Sequence, residues 1–102
     1  MITMSVAGLF CYCMACIMVP PNSTVIITDN DTFIMEKCMG ETEGCALLEE
    51  NTAIIRKGEP NRTNWVIFHE LLHLEMGRHH TEEFRDREKE AVICIYSGRM
   101  AK

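Results

Sequence analysis

Residues 4–19 are almost unbroken apolar sequence, and no charged side chain appears before Asp29. A run of this kind, closed by Pro20-Pro21, predicts a buried N-terminal helix within residues 1–20 that covers a sheet and stops at the prolines. Two other roles stay open for residues 4–19. The run is a little short for a membrane span, which takes about 20 apolar residues. It has the apolar core of a signal peptide, but no Lys or Arg precedes it and no small-x-small cleavage site follows.

Past the prolines the pattern changes. Residues 24–28 (Thr-Val-Ile-Ile-Thr) are β-branched throughout and predict a strand. Asp29-Asn30-Asp31 signals a turn, and residues 32–35 fit either a second short strand or the start of a helix. Gly40 and Gly44 bracket a loop, and residues 46–48 and 52–56 predict two more strands turned at Glu49-Glu50-Asn51. Apolar side chains then recur twice at helical spacing. The first helix covers residues 63–77, with Asn61 or Thr63 as cap and Gly77 as stop. The second covers residues 82–97, with Thr81 as cap, Glu82 and Glu83 in the dipole-favoured first turn, and Gly98 as stop. The expected fold class is α+β, a single domain of residues 1–102. A small, twisted, mostly antiparallel sheet over residues 24–57 packs against the N-terminal helix and the two later ones.

Composition narrows the function. A chain of 102 residues has room for one core, and 47% hydrophobic with 25% charged residues is ordinary for a globular protein. A net charge of −5 speaks against direct nucleic-acid binding, which needs a clustered basic face. The six cysteines (11, 13, 16, 38, 45 and 94) could form a secreted disulfide framework. The apolar content makes such a framework unnecessary, so free thiols in a reducing cytosol are expected. Cys11, Cys13 and Cys16 form C-x-C-x-x-C without a partner pair, a weak sign of a metal or redox cluster and a better fit to buried structural thiols.

The chemistry is concentrated in the first of the two helices. All four histidines lie between positions 69 and 80, and His69-Glu70-Leu71-Leu72-His73 spells H-E-x-x-H. Residues four apart on a helix sit one above the other, so His69 and His73 can aim both imidazoles at one point. Two neutral imidazoles suit Zn2+, leaving room for a third ligand and an open position. Glu70 is placed to act as general base. Val66, Ile67, Phe68, Leu71, Leu72, Leu74 and Met76 surround the motif, so these polar groups are expected to be buried and in need of a partner. On the second helix Glu88 shares the stripe of Phe84, Ala91 and Ile95, which makes it the expected third ligand. The alternatives are His79 and His80. His79 stands at the count of the three-histidine spacing H-E-x-x-H-x-x-G-x-x-H, but Met76 takes the place of its glycine.

These residues resemble the ImmA/IrrE family of small gluzincin-like metallopeptidases, common in phage-like and mobile elements. The match is a strand (residues 52–56), H-E-L-x-H-L (residues 69–74), a Gly/His-containing connection (residues 77–80) and E-x-E-A (residues 88–91). It covers about residues 50–97. The resemblance implies Zn2+ bound by His69, His73 and Glu88, and a helix-turn-helix repressor as the substrate. Leu72 stands where the family has Gly, and Val92 where it has Asn or Asp. His80 followed by Phe84 likewise resembles the H-x-x-x-F ending of SprT-like minimal metallopeptidases.

The expected function is therefore that of a cytoplasmic zinc metallopeptidase acting on a protein or peptide, such as a transcriptional repressor, and no membrane role is expected of it. The substrate is expected to lie beside an edge strand, with residues 52–56 as the candidate and Tyr96, His79 or His80 as candidate oxyanion stabilisers. Two alternatives remain: a degenerate zinc-binding module that binds a partner without cutting it, and a variant tethered to a membrane by residues 4–19.

Overall fold

The computed structural model describes residues 1–97. Its elements are β1 (Ile2–Tyr12), β2 (Ala15–Thr28), α1 (Asp31–Cys38), β3 (Gly44–Leu47), β4 (Thr52–Arg56), α2 (Pro60–Met76) and α3 (Glu82–Ser97). The fold is α+β, as expected, but the first 28 residues are a long hairpin and not a helix. Their apolar pattern explains the difference. Ala15, Ile17 and Val19 are buried while Met18 is exposed, a period of two that a helix cannot satisfy. Cys13, in the left-handed region at φ 55°, makes the turn.

Pro20-Pro21 falls inside β2 and does not end it. The hairpin register passes from Val6 opposite Ser23 to Gly8 opposite Val19, so Ala7 faces the whole of residues 20–22. The prolines occupy this bulge, where no ladder N–H is needed from them.

The sheet order is β1-β2-β4-β3. β1 pairs with β2 and β3 with β4 in antiparallel fashion, while the central β2–β4 pairing is parallel, Thr24 opposite Thr52 to Thr28 opposite Arg56. β4 is therefore an inner strand, and β3 is the edge on that side. This corrects the expectation that residues 52–56 form the edge. α2 and α3 cover one face, where Ala53, Ile55, Val25, Phe68, Leu71, Leu72 and Phe84 share one core. Strand alternation turns Ile54 to the opposite face, where α1 contacts β3 and β4 and buries Ile34.

The parallel pairing covers only residues 24–28, which leaves the edge of β2 open at residues 15–19. Side chains close it. The Met18 N–H donates to Glu75 (2.9 Å), Arg87 donates to the Cys16 carbonyl (2.6 Å), and the two side chains pair with each other at 3.0 Å. One ion pair thus takes the place of a neighbouring strand and joins α2, α3 and β2.

Local signals set the other boundaries. Residues 32–35 are helical, because Asn30 caps α1 by accepting from the Phe33 N–H. α2 begins earlier than expected, at Pro60, with Glu59 accepting from the Asn61 and Arg62 N–H groups. Thr63, an expected cap, instead accepts from the Gly58 N–H. α3 matches its expected span, and Thr81 accepts from the Phe84 N–H as its cap. Gly98, its expected stop, lies outside the described residues.

The cysteines overturn the free-thiol expectation. Cys11–Cys16, Cys13–Cys94 and Cys38–Cys45 are disulfides, and no described cysteine is free. Cys11, Cys13 and Cys16 accordingly offer no thiolate cluster for a metal. Among the described residues, no helix is long and apolar enough to cross a membrane.

Candidate metal centre

Two side-chain ladders build the site. α2 carries Trp65, His69 and His73 at four-residue spacing, and His80, Phe84 and Glu88 follow the same spacing into and along α3. The ladders meet in opposite senses. Trp65 and His69 reach Glu88, His69 meets Phe84 edge-on and His73 packs on it at a tilt, and His73 meets His80. Phe84, fully buried, lies within 5.2 Å (ring centroids) of all three imidazoles and forms their common floor.

Hydrogen bonds set the histidine tautomers. The His73 Nδ1–H donates to the Gly77 carbonyl at 2.7 Å, since a carbonyl can only accept. The His69 Nδ1–H donates to Glu88 Oε2 at 2.6 Å, and Trp65 Nε1–H donates to the same oxygen at 2.8 Å. Each H-E-x-x-H imidazole thus uses Nδ1 on an acceptor and keeps the Nε2 lone pair for a ligand, the usual arrangement around a metal-binding histidine. His80 Nε2 stands 3.0 Å from His73 Nε2.

Ligand atoms of His69, His73 and His80 all lie within 4.8 Å of one another. Nitrogens on metal bonds of about 2.0–2.1 Å at tetrahedral angles are roughly 3.3 Å apart, so the His73–His80 spacing is close to that of a bound pair. The cluster can bind a metal ion.

The candidates for third ligand are placed differently. The structure brings His80, the alternative, to the histidine pair, and puts Glu88 behind His69. Glu88 lies eight residues beyond His80, and a helical rise of about 1.5 Å per residue carries it up to the level of Trp65 and His69. It reaches Nδ1, the side of the ring away from the ligand position. His79 is exposed and outside the cluster. Tyr96 packs edge-on against Trp65, which leaves it as a support for the ladder.

Electrostatics follow the same geometry. The hydrogen bond from His69 holds the Glu88 carboxyl below its usual range, against the effect of its burial and with help from Trp65. Burial works against a charged His69, yet Glu88 and Glu70 outweigh it and raise the ring's pKa. Burial lowers that of His73, and the nearby His69 and His80 add to the effect. Glu70 is only 8% exposed, and burial pushes its carboxyl up to about 7.

Glu70 also stands where two clefts meet. One, of about 200 Å³, is lined by Gly44, Trp65, Val66, His69 and Glu70 among others. The second, of about 150 Å³, is lined by Ala46, Leu48, Glu70, His73 and Arg78. Both run along β3. Gly44 lets this strand approach α2: a Cβ there would stand 2.8 Å from the Ile54 carbonyl oxygen and from Val66 Cγ1, and 3.4 Å from Glu70 Cγ. In the sequence Gly44 reads only as a loop marker, and nothing there marks Arg78. A glycine opening a short strand before the motif was the available signal.

No protein-family model matches the chain, and searches of curated proteins and of solved structures found no match either.

Proposed function

We propose that this protein is a zinc-dependent peptidase of the minimal H-E-x-x-H kind. The observation that carries the reading is the buried Glu70 beside the three-histidine cluster, at the junction of two clefts that follow an edge strand. His69, His73 and His80 hold the metal. All-imidazole donors also suit copper or nickel, and the H-E-x-x-H helix with its adjacent carboxylate favours zinc. Bound zinc supplies Lewis acidity towards a carbonyl and lowers the pKa of water.

The chain's own groups do the rest. Glu70 takes a proton from the attacking water and returns it to the leaving amine, a task suited to a carboxyl poised near neutrality. Trp65 and Glu88 hold the His69 ring in one tautomer. Arg78 lines the cleft beside Glu70 and His73 and is a cation available to a developing oxyanion, as is Arg62 in the other cleft. The free edge of β3 can pair with an extended polypeptide, laying it across both clefts. Clefts of 150–200 Å³ are below the roughly 300–1,000 Å³ of small-molecule pockets and suit single side chains of a longer substrate.

The ligand set supports the SprT-like resemblance carried by His80 and Phe84 over the Glu88 ligation implied by the ImmA/IrrE one. Three disulfides go with an oxidising compartment more readily than with the cytosol, and with an extended protein segment there more readily than with a cytosolic repressor. The decisive test is Glu70→Gln on an unfolded protein substrate. The expected outcome is retained zinc and cleavage reduced by at least 100-fold; cleavage at the wild-type rate overturns the reading. A wild-type chain that binds zinc yet cuts nothing would instead be a metal-stabilised binding module.

A further inference from the structure

The metal site depends on how α3 lies against α2, because His80, Phe84 and Glu88 all come from α3 or the residues leading into it. One end of α3 is tied to α2 by the short connection at residues 77–81. The other end is tied by Cys94, whose partner Cys13 sits in the turn of the β1–β2 hairpin. That turn is itself anchored to α2, since the Tyr12 hydroxyl donates to Asn64 Oδ1 at 3.0 Å and its ring packs on Phe68. α3 is therefore held covalently at both ends against a scaffold that includes the other ladder.

We propose that Cys13–Cys94 is a redox clasp that keeps the two ladders in register and so sets the metal affinity of the site. This rests on the metal reading above. A slide of α3 along α2 would part Glu88 from His69 and His80 from His73 together, because both contacts depend on the same register. Cys13 is exposed, so a small dithiol can reach it. In that exchange the Cys13–Cys94 S–S bond breaks, two protein thiols form, and the dithiol is oxidised to its own disulfide; two electrons and two protons pass to the protein. The other disulfides serve as internal controls. Cys11–Cys16 joins directly opposite residues of the hairpin, and Cys38–Cys45 joins α1 to β3, so neither spans to α3.

The test is zinc affinity by competition with a chromogenic chelator, on C13S/C94S, C11S/C16S and wild type under non-reducing conditions. Serine keeps new thiols from binding zinc. C13S/C94S is expected to lose 10–100-fold in affinity, the usual effect of losing an orienting partner around a metal ligand, and C11S/C16S to stay within about threefold. Amide exchange over residues 80–88 is expected to quicken only in C13S/C94S. Should C13S/C94S fail to fold, C13A/C94A takes its place in both measurements. Unchanged affinity in a folded protein lacking this disulfide overturns the clasp, as does an equal loss in C11S/C16S. Wild type that binds no zinc overturns the metal reading itself, a distinct result.

Discussion

Glu70 carries two consequences at the level of a single residue. Its carboxyl titrates at about 7 in the folded chain against 4.5 as its ordinary value. A raised carboxyl pKa means that the folded state favours the protonated form, so the associated stability is complete below pH 4.5 and is lost as the pH rises through 7. The shift corresponds to about 3 kcal/mol between those limits. In the metal-free protein, Glu70→Gln should therefore match wild type in urea unfolding at pH 4 and exceed it by an amount of that order at pH 7.5. Equal stabilities at both pH values would show that Glu70 is not held in a desolvated place. The ligand assignment is tested separately. His80→Ala should abolish tight zinc binding, whereas Glu88→Ala should weaken it by about 10–100-fold and leave the stoichiometry at one. The reverse order in a zinc titration would restore Glu88 as the ligand.

Between elements, the paired ladders explain why Trp65 belongs to the site. Its indole N–H and the His69 imidazole N–H converge on one Glu88 oxygen, and Arg62 lies 5.6 Å over its ring. If Trp65 acts through Glu88, the two substitutions share one effect. Trp65→Phe should weaken zinc binding in the wild-type background and add little on top of Glu88→Gln, whereas independent sites add. Additive losses in this double-mutant cycle would reduce Trp65 to packing. The same view accounts for Phe84, whose ring supports all three imidazoles while filling the core between α2 and α3.

For the molecule as a whole, a bound metal and the disulfides would act on one small core. A ligand that binds only the folded state at 100 times its Kd stabilises by about 2.7 kcal/mol. For a domain near 100 residues, that is a rise in Tm of roughly 10–20 °C. Zinc should produce such a rise in a thermal melt of the oxidised protein, a chelator should reverse it, and His73→Ala should remove it. A melt indifferent to zinc would mean that the three histidines are no metal site. The Cys13–Cys94 link, 81 residues apart in sequence, removes about 4–5 kcal/mol of unfolded-state freedom by the loop-entropy argument, a large part of the stability usual for such a domain.

The sequence by itself determined what is local. The spacing of His69, Glu70 and His73 on one helix, the Thr81 cap of α3, and the β-branched residues of β4 each depend on neighbours a few positions away, and all were readable in advance. What lay beyond it depended on distant partners. An uncharged apolar run suits a buried helix as well as a strand, and residues 1–20 became a hairpin only because Ile17 and Val19 meet a core supplied by α2, α3 and β4. Cysteines pair by proximity in space, which spacing along the chain does not reveal. The placing of His80, and not Glu88, beside His73 was likewise tertiary. Glu88 lies on the core-facing stripe of α3 and His80 just ahead of that helix, and only the level at which α3 docks on α2 decides which of them meets His73 and which stands behind His69.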